Sequence, residues 1–398
     1  MPLRLGFHYH SPAKYDAAGT IHMPSYLGVF IDSLASQCDE VVCFLHCPLP
    51  HEEGLLNYAV QQPNVTLVNI GPHASVPQRM LNSGQFAKAI HTWRDKLDAM
   101  LLRGPTPLLG TAANAAKDLP LAVLLVGDYL AEARTAQKKL TPRRLAHRLW
   151  LEWNQRQQAK IVRKNLTLVN SRQLYQDFQP IAARIFETQT TTLSSKDFYY
   201  REDTCLQPPY HVLYTGRISY SKGVTDILEA VLSLHAQGFD IVFDLVGWAE
   251  NDDILQEISR TAAEHGAGDK VIYHGLKKIG EELFSYYKQA DMYVVASRSS
   301  FEGFPRTIWE ALAHSTPVIA TSVGSIPLFL QDQETVLLTE PNNTPMLATA
   351  IKRMIMDAPF RQRLIAQGRE AVRENTLENR AGQIVQHITD WVEQREHA

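Results

Sequence analysis

MYVVASRSSFEGFPRTIWEALAHSTPVIATS (292–322) runs from an apolar strand through a short loop into a helical stretch and out into a second apolar strand. MYVVAS and PVIATS have the near-continuous apolar character of strands covered on both faces, and 306–314 reads as the helix between them. Such a strand, crossover helix and strand make a parallel α/β unit. Pro305 stands where the first helical position is expected, a place that suits proline. Helix N-termini present unpaired amides and a partial positive charge, so Gly303, Phe304, Pro305, Arg306 and Thr307 are candidates to hold phosphate or sugar oxygens. Glycine at 303 lets the backbone come close. Glu302 in the loop and Glu310 one turn into the helix are expected to overlook the same edge, where carboxylates accept from pairs of sugar hydroxyls. Taken alone, the segment also fits an ordinary structural turn.

Upstream the same alternation continues: VLYTGRI (212–218), a helix over 224–237, DIVFDLVG (240–247), a helix near 252–265, VIYHG (271–275) and a helix near 280–289. In TGRISYSKGV (215–224), Gly216 ends a strand, and Arg217 and Lys222 flank a turn before a helix. Two cations beside a helix N-terminus form an anion clamp; the plainer alternative is two solvated cations in a polar loop. Both elements fall at carboxyl ends of strands of one sheet, and together they read as a nucleoside diphosphate site.

The first half shows the same habit. RLGFHYH (4–10), EVVCFLHC (40–47), TLVNIG (66–71), PLAVLLVGD (120–128) and LTLVNS (166–171) read as buried strands, with a helix over 25–37. The fold class expected is α/β with two doubly wound Rossmann-like domains facing each other across a cleft. The polar, proline-bearing YYREDTCLQPPYH (199–211) reads as the linker, giving domains 1–198 and 212–377, with a C-terminal helix over 378–398 returning to the first.

The chain has 398 residues, 39 Lys+Arg against 42 Asp+Glu and 45% hydrophobic residues, enough for two cores and too apolar for disorder. No run approaches the ~18 apolar residues of a membrane span, and the start, MPLRLGFHYHSP, lacks a signal-like apolar stretch, so a cytoplasmic protein is expected. Four cysteines do not make a disulfide framework. Cys43, His46, Cys47 and His51 could be drawn as a zinc set, but VVCFLHC alternates like a strand and its cysteines read as core; no metal is expected. Residues 134–164 hold ten Lys/Arg against one acid, Glu152, with Leu145, Leu149, Trp150 and Trp153 interleaved. That stretch either lies on an anionic membrane face as an interfacial helix or packs an apolar face on the sheet. Nucleic acid is not expected as a partner, since no binding module is present and the chain is net negative.

From Tyr214 to about Pro341 the sequence resembles the donor-binding domain of the retaining glycosyltransferases of family 4, which have the GT-B fold. That family carries two glutamates separated by seven residues in an E-G-F-P and E-A-L-A context, matched here by Glu302 and Glu310-Ala311-Leu312-Ala313. It also carries glycine-arginine followed by lysine-glycine, matched by Gly216-Arg217 and Lys222-Gly223. LVG (245–247), HG ending at Gly275, ADMYVVAS (290–297) and PVIATSVGSIP (317–327) follow in family order. The resemblance implies that Arg217 and Lys222 bind the donor diphosphate, Glu310 the ribose hydroxyls and Glu302 the donor sugar. It also implies that no metal or cofactor is needed, the nucleotide-sugar being substrate, and that the acceptor is a saccharide or lipid-linked hydroxyl. Gly19, after the first strand, could approach the diphosphate from the other domain or be a plain turn glycine.

The departures are specific. TTTLSSKDF (190–198) replaces a common proline-asparagine-glycine-valine-aspartate run, and a single glycine stands in Ala18-Gly19-Thr20 where many members have two. GSIP (324–327) lacks the frequent acid, and Gly127 and Asp128 follow the mid-domain strand where a histidine is usual. Asp128 is a candidate acceptor or sugar ligand, or an N-cap. A sugar-nucleotide-binding protein without catalysis is the rival reading. A nicotinamide oxidoreductase would want a G-x-G-x-x-G turn after a first strand, and neither half has one.

Overall fold

The computed structural model describes residues 3–126, 142–189, 191–298 and 304–396, and the chain divides into two compact units, Met1–Thr190 with Leu377–Ala398, and Thr191–Thr376. Unit 1 contains β1 (Arg4–Pro12), β2 (Lys14–Tyr15), β3 (Ile21–Met23), α1 (Ser25–Ala35), β4 (Glu40–Cys47), β5 (Tyr58–Ala59), β6 (Val65–Pro72), α2 (Val76–Leu81), α3 (Ser83–Trp93), β7 (Ala99–Gly104), α4 (Leu109–Ala115), β8 (Leu121–Leu125), α5 (Pro142–Val162), β9 (Leu166–Val169), α6 (Arg172–Phe178) and β10 (Arg184–Glu187). Its main sheet is parallel in the order β10-β9-β8-β7-β1-β4-β6, beside a small antiparallel sheet of β2, β3 and β5. The winding reverses between β1 and β7, the point at which doubly wound sheets open a crevice.

The central strand β7, AMLLRG, was not singled out by sequence. It is buried throughout, yet none of its Ala, Met and Leu is branched at Cβ, so it carries no β-branched signature. One face of the sheet packs Leu5, Phe7, Leu101 and Leu124 with α1, and the other packs Phe44, Met100 and Val123 with α3 and α4. Each fully buried side chain of this size stabilises by roughly 1.5–3 kcal/mol.

Unit 2 contains β11 (Tyr210–Ile218), α7 (Val224–His235), β12 (Ile241–Ala249), α8 (Asp252–Glu264), β13 (Val271–Gly275), α9 (Glu281–Gln289), β14 (Met292–Val295), α10 (Arg306–Ala313), β15 (Val318–Thr321), α11 (Ile326–Phe329), β16 (Leu337–Thr339), α12 (Thr344–Met356) and α13 (Ala358–Val372). Its parallel order is β13-β12-β11-β14-β15-β16, with the reversal between β11 and β14. The last helix, α14 (Leu377–Glu396), returns to unit 1, where Ala381, Ile384, Ile388 and Val392 join the core around Leu5 and Phe7.

Residues 199–211, read from polarity as a linker, are instead stitched into unit 2. The Arg201 guanidinium donates to the carbonyls of Tyr287 (3.2 Å), Lys288 (2.9 Å), Ala290 (2.6 Å) and Ser315 (3.2 Å) and to Thr316 Oγ1 (2.9 Å). These carbonyls close α9 and follow α10, where helices leave acceptors without partners. Asp203 accepts from Arg361 (2.6 and 2.9 Å), and Leu193 is fully buried in the same unit. Polarity here serves helix ends rather than solvent.

Candidate functional site

The candidate site of unit 2 gathers at the carboxyl edge of its sheet, on either side of the β11/β14 reversal. Glycine makes the approach of these strands possible. Gly216 and Gly247 are paired in register, both at positive φ (+130° and +144°), and a Cβ on Gly247 would lie 1.8 Å from the Gly216 carbonyl oxygen. Next, the chain tightens through Tyr220–Lys222 to Gly223, which is left-handed (φ +65°) and caps α7. A Cβ there would lie 1.9 Å from the Ala296 carbonyl oxygen. The turn bearing Lys222 is therefore pressed against the end of β14. A backbone bond from Arg298 N to Ser221 O, 2.9 Å, joins the same two loops.

Arg217 is exposed at the end of β11, opposite Trp248 in register, and Lys222 is partly buried one turn on. Sequence reasoning missed Arg298. Its guanidinium donates to Asp226 Oδ2 at 2.9 Å and to Thr225 Oγ1 at 3.0 Å, with a further close bond to Asp226 Oδ1. That pair fastens the first turn of α7 to the loop leaving β14, and the Asp226 carboxylate raises the Arg298 pKa. The signal was an acid at the start of a helix, which an N-terminal dipole alone also explains.

Past the loop, Pro305 is the N-cap of α10 (ψ 116°) rather than its first helical residue, one position earlier than expected, because its extended ψ precedes the helical turn. Arg306 and Thr307 open the helix, half-buried, and Phe304 stacks on Trp309 at 4.3 Å and meets Phe329 edge-on at 5.5 Å. Glu302 and Gly303 lie outside the described residues, as does Asp128.

Glu310 departs from expectation. It does not overlook an open edge; it is 4% exposed, with Thr192 Oγ1 donating to Oε1 at 2.6 Å and Tyr287 Oη to Oε2 at 2.8 Å. The reason is packing: the helix is buried all round from Ile308 to Ala313, so position 310 is covered whatever its phase. Since Tyr287 donates to Glu310, the Thr215 hydroxyl at 2.5 Å donates to Tyr287, a relay from β11 to α10. Burial and the Glu310 charge hold the Tyr287 phenol well above its ordinary pKa, so it stays a donor. A carboxylate offers about four lone-pair sites, so each Glu310 oxygen keeps capacity for another donor.

Gly275 ends β13 at φ +71°, after His274, whose Nε2 bonds Asp244 Oδ1 at 2.7 Å. His211 Nδ1 bonds the other Asp244 oxygen at 2.8 Å. Gly19 belongs to unit 1 and is the turn glycine (φ +84°) of the β2–β3 hairpin, where Asp16 Oδ1 accepts from Ala18 N and Thr20 N, both 2.9 Å. The strand β3 intervenes between Gly19 and α1, so this is not a strand-to-helix turn.

Residues 201–371 match the family "Glycosyl transferases group 1". A D-inositol 3-phosphate glycosyltransferase of Corynebacterium diphtheriae is 31% identical over 40% of this chain and 38% of its own length. The alpha-D-kanosaminyltransferase of Streptomyces kanamyceticus is 28% identical over 38% of each. The chain thus spans about two fifths of the length of the curated relatives it matches. Among solved structures, Anabaena HepE, crystallised with UDP and glucose, superposes with TM-score 0.72 at 16% identity, covering 98% of this chain and all of that one. The sucrose-phosphate synthase of Thermosynechococcus elongatus gives TM-score 0.69 at 20% identity, covering 98% of both chains. The fold is that of these GT-B proteins, two Rossmann-like α/β units.

Proposed function

We propose that this protein is a retaining, metal-independent glycosyltransferase of family 4 that moves a sugar from a nucleoside-diphosphate sugar, UDP favoured, to a hydroxyl of a saccharide or glycolipid acceptor. Its setting would be bacterial surface polysaccharide or glycolipid assembly in the cytoplasm. One observation carries the reading: the Ser221–Arg298 backbone bond and the Gly223–Ala296 contact hold the Lys222 turn against the loop that enters α10. Sequence elements about eighty residues apart thus share one sheet edge, inside the stretch that matches group 1 glycosyltransferases.

In this reading Arg217 and Lys222 take the diphosphate, Glu310 accepts from ribose hydroxyls beside its two internal donors, and Glu302 holds the donor sugar. The C1–oxygen bond breaks with its electron pair passing to the diphosphate, whose growing charge the two cations stabilise. The acceptor oxygen bonds C1 on the face being vacated, and its proton passes to the departing phosphate oxygen, which retains configuration. UDP is favoured because the structurally similar HepE was crystallised with UDP and glucose.

Peripheral membrane contact through 134–164 belongs to the same proposal. Leu145, Leu149 and Trp153, four residues apart on α5, are 49%, 58% and 44% exposed, a continuous apolar ridge beside cations. No helix among the described residues is long and apolar enough to cross a membrane.

A thermal-shift panel of UDP-, GDP- and ADP-sugars, followed by product analysis with saccharide and glycolipid acceptors, tests the function. Stabilisation should follow ln(1 + [L]/Kd) for one base, with anomeric configuration kept in the product. Binding without transfer or donor hydrolysis would favour the non-catalytic sugar-nucleotide-binding alternative; no stabilisation by any nucleotide would remove both.

A further inference from the structure

Unit 1 carries a second cluster of ionisable side chains at the carboxyl edge of its own sheet. β1 contributes His8 and His10, β4 His46, the chain after β6 His73, α2 Arg79, and β7 Arg103. The His8 and His46 rings lie 6.4 Å apart and those of His46 and His73 5.6 Å. These strands flank the β1/β7 reversal, where a doubly wound sheet takes its ligand.

Three of these groups have defined duties. His8 is fully buried, donates Nδ1–H to Phe44 O at 2.9 Å and meets the Thr106 hydroxyl at 3.5 Å. His73 sits between Glu52 Oε1 at 2.6 Å and the His10 carbonyl at 3.1 Å. Glu52 also accepts from Leu49 N at 2.8 Å. Arg103 lies over the Tyr9 ring at 4.7 Å.

The other two imidazoles are different. His46 is 2% exposed; its Nδ1 donates to Gly71 O at 3.3 Å, so Nε2 is the bare nitrogen, and it is buried with no partner. His10 Nδ1 is likewise buried without one. Burial, then the charge of Arg79 and the neighbouring histidines, and finally Arg103, hold His10 down at about 3. Burial, His8, Arg79 and His73 do the same for His46, also about 3. A buried polar atom left without a bond is costly, and in native proteins it usually marks a water, an ion or a ligand. Added negative charge between these rings and Arg79 would reverse the repulsion and let His46 Nε2 take a proton and donate.

We propose that His10, His46 and Arg79, with Arg103, form a site in unit 1 for a small oxyanion, a phosphate or carboxylate borne by the acceptor. Naming the acceptor rests on the transferase reading; the oxyanion site itself does not. Proton uptake accompanies binding, so affinity rises as pH falls from 8 toward 6. Among the described residues, His8 and His73 also act electrostatically on these rings, and His73 is already bonded to Glu52.

Ring 15N NMR of the full chain labelled at histidine tests this with three salts at matched ionic strength: inorganic phosphate, acetate and chloride. His46 and His10 nitrogens should shift saturably toward protonated positions with phosphate or acetate and not with chloride. A stronger phosphate response points to a phosphorylated acceptor, a stronger acetate response to a carboxylated one. Arg79→Gln, on the short helix α2, should weaken the response about tenfold or more, while Lys222→Ala in unit 2 leaves it intact. His46→Asn, checked for folding by its amide spectrum, should abolish proton uptake. Equal responses to all three salts, no response at all, or wild-type binding by Arg79→Gln would each overturn the site. Because no nucleotide is present, failure of sugar transfer with an intact anion response would cost only the acceptor assignment.

Discussion

Tyr287 donates its phenolic hydrogen to Glu310 at 2.8 Å, so the second glutamate of the E-x7-E pair is held by an internal donor from α9. Thr192, near the start of unit 2, holds the other oxygen at 2.6 Å. The carboxylate is thereby fixed before any ligand arrives, and its free lone pairs point where helix α10 and the Tyr287 ring allow. Tyr287→Phe should leave a buried carboxylate one bond short and cost about 1–3 kcal/mol of unit 2 stability, read by urea denaturation. If the fixed carboxylate serves the ribose, the same variant should also raise the nucleotide Kd. Loss of stability with unchanged nucleotide affinity would make Glu310 purely structural.

Lys222→Ala should lower kcat by about 10²–10³-fold, the effect of removing one donor aimed at developing charge. Lys222→Arg should recover part of it. A Lys222→Ala enzyme that transferred sugar as fast as the parent would remove this lysine from diphosphate stabilisation.

Gly223→Ala places a Cβ against the Ala296 carbonyl at a left-handed position, and neither backbone can yield without moving the Lys222 turn. We expect a loss of about 3 kcal/mol or more, in the range reserved for backbone clashes, measured as a fall in Tm of unit 2. Gly238→Ala, with φ +90° but nothing within 4 Å of its Cβ, should show strain alone and a smaller loss.

The buried histidines give unit 1 a pH signature. His8, His10 and His46 are each held at about 3, chiefly by burial, below the ordinary 6.5. Their unfolded forms take a proton near pH 6.5 while the folded forms do not, so the contribution is complete above 6.5 and is lost as pH falls toward 3. Each should cost about 1.4 kcal/mol per pH unit across that window. In unit 2 the histidine signs are mixed: burial lowers His314 to about 4, as in unit 1, whereas the Asp244 bond raises His211, whose contribution is full below 6.5 and fades as pH rises through its raised folded value. Hydrogen exchange read separately over the two units at pH 5 and pH 7.5 should show unit 1 weakening at the lower pH; equal protection of unit 1 at both would refute it.

Membrane contact is checked on α5. Leu149→Glu and Trp153→Ala should each weaken co-sedimentation with phosphatidylglycerol vesicles about tenfold or more, the worth of one buried apolar side chain. High salt should weaken the parent as well, since cations share the attraction. Unaltered binding in Leu149→Glu would assign the ridge to another role.

The alternation of apolar strands and helices, the glycines at 216 and 223, and the paired glutamates of the group 1 signature are all local features, and periodicity and turn chemistry act over a few residues, so the sequence by itself determined them. It also placed α14 as a separate helix from its apolar spacing. It could not locate β7, whose Ala-Met-Leu run becomes a strand only because the centre of the sheet buries it on both faces. Nor could it tell the polar stretch around Arg201 from a linker, because the carbonyls that satisfy that guanidinium come from 86 to 114 residues away. The burial of Glu310, the Arg298–Asp226 tie and the meeting of His8, His10 and His46 were decided by tertiary structure alone. Each depends on which face of an element is covered and by what, a property of packing between distant segments that no local pattern encodes.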